Sequence, residues 1–139
     1  MDIIIVCHTE FGRVLNHKVI YFKDHSGFED SISNLLEVTN KYKAKVTFEI
    51  CPEVAGYFPK NIDSEIGLHI HPGWKEFKVD GYRYYVGDEY LRNTIKVSSN
   101  STLLRDYSFA EQYLLIREGL SYTIKSLGKV PQSFVAGRW

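Results

Sequence analysis

Residues 44–72, AKVTFEICPEVAGYFPKNIDSEIGLHIHP, decide the fold class of this chain. Within them, 44–50 and 64–70 are predicted to be short strands. Between the strands, Pro52 suits the first turn of a brief helix, and Pro59 ends that helix. A strand, a helix and a second strand in this order predict parallel strands joined by a right-handed crossover.

The rest of the chain continues the alternation of strands and helices. Both longer helices begin with a Ser-x-x-Glu capping box, and the first strand is a nearly continuous apolar run. The further predicted elements are a strand at 2–8, helices at 26–42 and 108–127, a hairpin around Asp80-Gly81 and a strand at 132–137. The predicted fold class is α/β with parallel strands, in a single domain of residues 1–139. Such sheets carry their chemistry at the carboxyl ends of the strands.

The composition excludes several classes of partner. Seventeen basic and 17 acidic residues among 139 give a formal net charge of zero, which argues against nucleic acid or an anionic membrane as the main partner. No apolar stretch reaches the roughly 18 residues of a membrane span, and the first residues do not resemble a signal peptide. The two cysteines form no CxxC pattern, so we expect a protein of the reducing cytoplasm.

Residue types that bind metals follow the first and third predicted strands. His69 and His71 are two residues apart, so both imidazoles point to the same side of an extended chain. If these strands are neighbours or flank a common strand, Glu10 joins the pair as a carboxylate ligand. Three protein ligands with an open position suit a catalytic Zn²⁺ or a similar divalent metal. Spacing alone leaves open that the histidines are partly exposed structural residues. His17 and His25 show no such pattern and are expected at the surface.

Five segments carry a family resemblance and lie in the family's order along the chain. They are HTE at 8–10, AKVTFEICPEVA at 44–55, EIGLHIHP at 65–72, DYSFAEQ at 106–112 and LGKVPQSFVAGRW at 127–139. These segments resemble the polysaccharide deacetylases, the NodB-like carbohydrate esterases. The resemblance implies a partial (β/α) barrel, a divalent metal that is usually Zn²⁺, and removal of acetyl groups from an acetylated carbohydrate.

The resemblance also implies roles for individual residues. It makes Glu10 the acidic metal ligand, His69 the first histidine ligand and His71 the second, although the family usually spaces its histidines further apart. His8 stands at the position of the family's catalytic Asp, and Val135 at that of its supporting Arg. Losing both charged partners leaves no stranded buried ion. His8 could be the base, because imidazole exchanges protons near neutral pH, or a metal ligand, or a structural remnant.

Further candidates lie near the same edge of the predicted sheet. Trp74 and Tyr84 could stack on a sugar ring or pack within the hairpin. Arg138 could hold an anionic substrate group, or be exposed or ion-paired. Glu49 and Glu53 flank the end of the second predicted strand and could enter the site, but exposed positions are expected for both.

The resemblance covers only the N-terminal half of the family's barrel. The family's late histidine, which acts as general acid, has no counterpart here. We therefore expect a homo-oligomer, a partner chain that completes the barrel, or a truncated gene product. Two other functions remain open, namely metal-dependent hydrolysis of another amide or ester, and a catalytically inactive half-barrel that binds a carbohydrate or a partner protein.

Overall fold

The elements follow one another in the alternating order that the sequence predicts. A computed structural model describes residues 4–9, 13–15, 18–20, 28–72, 75–79, 82–86, 91, 94–99, 101 and 103–137, with the backbone alone for 13–15, 18–20, 75–79 and 82–86. The elements are β1 (Ile5–Thr9), β2 (Arg13–Leu15), β3 (Lys18–Ile20), α1 (Phe28–Lys41), β4 (Val46–Ile50), α2 (Pro52–Ala55), β5 (Glu65–Ile70), β6 (Lys75–Val79), β7 (Tyr82–Val86), a 3₁₀ turn (Leu104–Asp106), α3 (Phe109–Leu127) and β8 (Ser133–Ala136).

Four strands form one parallel sheet in the order β1-β4-β5-β8. Helices α1, α2 and α3 lie in the three connections between them, because parallel neighbours need a crossover. This confirms the predicted α/β class with parallel strands. The first and third predicted strands, now β1 and β5, flank β4. The four parallel strands form a sheet, and the partial barrel remains a prediction.

Two antiparallel hairpins accompany the parallel sheet. In β6 and β7, Val79 pairs with Tyr82, as expected for a hairpin with a two-residue loop. The loop residues themselves, Asp80 and Gly81, lie outside the described residues. Strands β2 and β3 form the other hairpin, which the sequence did not predict. Each has only three residues, too few to show a strand periodicity.

Local signals determine both ends of α3. Ser108 caps its start, since its side chain accepts a hydrogen bond from Glu111 N and its backbone N–H donates to Glu111 Oε2 at 2.9 Å. Gly128 follows the helix with a φ of 68° and thereby ends it. The predicted helix at 108–127 is therefore confirmed. Helix α1 also forms, although Ser26, its predicted cap, lies outside the described residues.

One face of the parallel sheet packs against the helices. This face carries the alternate, apolar residues of β4 and β5, of which Phe48 and Ile70 are fully buried. Helix α3 approaches closely at Gly119, where a Cβ atom would lie 3.1 Å from both Ile70 Cδ1 and Pro52 Cγ. A further apolar cluster includes Leu115, in the N-terminal half of α3. It consists of Leu68, Ile70, Leu91, Leu104, Tyr107 and Leu115.

The opposite face of the sheet carries polar side chains. By register, His8, Glu49, Gly67 and Ser133 form one row across the four strands. His69 lies on the same face, two residues beyond Gly67 along β5, because side chains alternate along a strand. Below, this surface is called the polar face. Among the described residues, no helix is long and apolar enough to cross a membrane.

Candidate functional site

The two histidines of HIHP converge at the carboxyl end of β5. His71 Nε2 lies 3.0 Å from His69 Nε2, and the rings are nearly perpendicular at 86°. Both side chains are buried, with 0% and 3% of their surface exposed for His69 and His71. The period-two spacing therefore predicted the convergence correctly. The alternative expectation, that both histidines are partly exposed, is wrong.

The backbone of β8 orients His69. His69 Nδ1 lies 3.1 Å from the carbonyl oxygen of Val135. A carbonyl oxygen only accepts hydrogen bonds, so Nδ1 carries the proton and donates it. In the neutral ring, Nε2 then presents a lone pair towards His71. Histidines that bind metals commonly use their second ring nitrogen in this way. Val135 thus orients His69 through its main chain.

Two glycines make room for polar side chains at this end of the sheet. A Cβ atom on Gly137 would lie 2.2 Å from both Cε1 and Nδ1 of His71. A Cβ atom on Gly67 would lie 2.1 Å from Oε2 of Glu49. Both distances are far below van der Waals contact, so each glycine leaves the space that a buried imidazole or carboxylate occupies. These contacts give a physical reason for the glycines in EIGLHIHP and FVAGRW.

His8 reaches the histidine pair from the neighbouring edge of the sheet. Its ring centroid lies 4.5 Å from that of His69, with 39° between the ring planes. Since β1 and β5 both flank β4, the two rings meet above that strand. His8 is exposed, whereas His69 is buried. His8 therefore connects the buried pair with solvent.

Glu49 corrects an expectation from the sequence. It was expected to be exposed, but only 2% of its surface is accessible. Ser133 Oγ donates a 2.7 Å hydrogen bond to Oε1, while Oε2 has no hydrogen-bond partner in the described structure. The carboxylate turns across β5 because Gly67, its neighbour in register, has no side chain to block it. The signal that could have indicated this burial is the pairing of a strand glutamate with a glycine on the next strand.

The histidine pair fits a divalent metal in distance and in donor type. Two nitrogens at about 2.0–2.1 Å from one metal lie about 2.8–3.0 Å apart if the angle between them is about 90°, and about 3.3–3.4 Å apart at the tetrahedral angle. The observed separation of 3.0 Å matches an angle near about 90° at a metal, and it is equally the length of a hydrogen bond between the two rings. Neutral imidazole suits Zn²⁺ and its neighbours in the first transition series. Within the described residues, no group of three His, Cys, Asp or Glu side chains could hold a metal. If a metal binds here, a third protein ligand would have to come from the part of the chain that the structure does not describe.

The structure describes no side chain of the remaining predicted site residues. Glu10, Trp74 and Arg138 lie outside the described residues, and Tyr84 is described only as backbone in β7. Their roles as metal ligand and substrate contacts stay predictions. Comparison with known proteins found no matching family model, no similar curated protein and no similar solved structure.

Proposed function

We propose that this chain is a metal-dependent hydrolase of the polysaccharide deacetylase type, which removes acetyl groups from acetylated sugars. The proposal depends mainly on one observation, the 3.0 Å approach of the His69 and His71 Nε2 atoms at the carboxyl end of a parallel strand. This edge is where α/β sheets bind their ligands. The four parallel strands are proposed to belong to a (β/α) barrel.

In this proposal His69 and His71 hold the metal, with Glu10 as third ligand. A bound Zn²⁺ supplies a Lewis acid for the acetyl carbonyl and lowers the pKa of a bound water. The hydrogen bond from His69 Nδ1 to Val135 keeps the ring turned so that Nε2 faces His71. Burial of both rings excludes competing water from the ligand nitrogens.

His8 is proposed as the proton acceptor. Its ring lies against His69 and is also exposed, so a proton taken up at the site can leave to solvent. Imidazole is suited to this task near neutral pH. Trp74 and Tyr84 are proposed to stack on the sugar, and Arg138 to contact a polar or anionic substituent.

Zinc binding and acetate release test the proposal together. The wild-type chain should bind one Zn²⁺ by calorimetry and release acetate from oligomers of N-acetylglucosamine. His69→Ala and His71→Ala should abolish both, and His8→Ala should abolish acetate release while Zn²⁺ still binds. His25→Ala is the matched histidine control and should change neither.

Different outcomes separate the alternative functions. Zinc binding with hydrolysis of a different amide or ester, and no acetate release from sugars, would change the substrate class and keep the metal ligands. Glycan binding without zinc binding or acetate release would contradict the enzyme proposal and favour a catalytically inactive half-barrel.

A further inference from the structure

The polar face contains a buried carboxyl group that the proposed reaction does not use. Among the described side chains, Glu49 is the one buried carboxylate. It receives a single hydrogen bond, from Ser133, and its second oxygen receives none from the described residues. None of the described residues forms an ion pair with Glu49. Burying an ionised carboxylate with one neutral donor is unfavourable unless a cation lies nearby.

Glu49 lies on the same face as His69, beside Gly67, which precedes His69 by two residues on β5. Its carboxylate occupies the space of a side chain on Gly67, and His69 follows two residues later on β5. Two residues along a strand span about 6.6 Å. On the side of β4 that faces β1, Glu49 is paired in register with His8. The ring centroid of His8 lies 4.5 Å from that of His69. The carboxylate is therefore close enough to act on a cation at the histidine pair through its charge, without bonding to it.

We propose that Glu49 is the charge-compensating residue of the metal site, a positioning residue that favours a divalent cation at His69 and His71 without ligating it. This inference rests on the proposed function, because it requires a metal at that pair. Without the cation, an ionised Glu49 would lack a compensating charge and would lower stability. With the cation bound, the two opposite charges stabilise each other in a buried environment where solvent screens them little.

Glu49→Gln tests the inference because it removes the charge and nearly keeps the shape. Zinc affinity, measured by competition with a chelator, should fall at least about tenfold, because the attraction between the carboxylate and the cation is lost. The thermal midpoint of the metal-free variant should be unchanged or higher, since an uncompensated buried charge is gone. The absorption spectrum of bound Co²⁺ should keep its wild-type shape, since the ligands are the same.

Glu65→Gln is the matched control. Glu65 is a carboxylate on the same strand and the same face, but it is exposed. Its charge is screened by water and salt, so zinc affinity should change by less than about twofold. Ser133→Ala is a second variant that serves if Glu49→Gln does not fold. It keeps the carboxylate and removes its hydroxyl donor, so the rise in thermal midpoint on adding Zn²⁺ should exceed that of wild type.

Three results would overturn the role of Glu49. They are wild-type zinc affinity in Glu49→Gln, a metal-free variant that melts lower than wild type, and an altered Co²⁺ spectrum, which would make Glu49 a ligand. In the substitute experiment, a smaller zinc-induced rise in Ser133→Ala would do the same. If one of these results occurs and His69→Ala still loses zinc binding, the role of Glu49 is refuted and the proposed function is not. Retained binding in His69→Ala refutes the proposed function itself and this inference with it.

Discussion

Substituting Gly137 by alanine directly tests the position of the His71 ring. The backbone at Gly137 is not in the left-handed region, so alanine meets no conformational strain there. The hydrogen bond from Gly137 N to Ile70 O, 2.8 Å long, also survives the substitution. The added methyl group would, however, lie 2.2 Å from two atoms of the His71 ring. Any effect of the variant therefore comes from that one collision.

The size of the effect follows from the depth of the collision. Carbon atoms in contact are about 3.5–4.0 Å apart, so the overlap exceeds 1 Å by that standard. His71 is 3% exposed and cannot move by this amount without leaving its place beside His69. Overpacking costs about 1–3 kcal/mol. Loss of the hydrogen bond between His71 Nε2 and His69 Nε2 costs about 1 kcal/mol more. We expect Gly137→Ala to lower the free energy of unfolding by about 2–4 kcal/mol in all.

Urea unfolding and zinc titration measure the two consequences. Gly137→Ala should unfold at lower urea concentration and lose zinc binding. Gly56→Ala is the control, because its nearest heavy atom, Tyr122 Oη, would be 3.8 Å away and its φ is −69°. That variant should be neutral or more stable by up to about 1 kcal/mol. If Gly137→Ala is as stable as wild type and binds zinc equally well, the His71 ring does not lie against Gly137.

Two further predictions concern helix α3. Hydrogen bonds from Ser108 and from the Ser98 backbone lower the pKa of Glu111 from 4.5 to about 2, so its contribution to stability is complete above pH 4.5 and is lost as the pH falls towards 2. Glu111→Gln should abolish this part of the pH dependence of the urea midpoint, and parallel pH profiles for the two proteins would contradict it. Leu115→Ala should cost about 2–5 kcal/mol, because Leu115 is fully buried. Its neighbour Leu114 is 37% exposed, and Leu114→Ala should cost much less in the same unfolding experiment.

The sequence predicted those features that depend on neighbouring residues along the chain. Both ends of α3 follow from Ser108, Glu111 and Gly128, which act within one turn of the helix. The convergence of His69 and His71 follows from strand alternation over three residues. The parallel order of strands follows from the alternation of strands and helices.

The features that were not predicted depend on contacts between distant residues. Glu49 is buried because Gly67, on another strand, leaves space above its backbone. Nothing in the residues adjacent to Glu49 signals this. The orientation of His69 by the Val135 carbonyl likewise joins two strands that are far apart in sequence. The relation to the deacetylases, the metal and the substrate remain predictions, because no comparison tests them.

The alternation along β5 makes the site sensitive to insertions and deletions. Its apolar residues face the helices, and His69 faces the other way. Losing or gaining a single residue in this strand would turn His69 into the helix-packed core and move Leu68 and Ile70 to the polar face. A chain that pairs β5 out of register therefore loses both the apolar packing against the helices and the histidine pair. Correct folding of the sheet and assembly of the histidine pair thus depend on the same strand register.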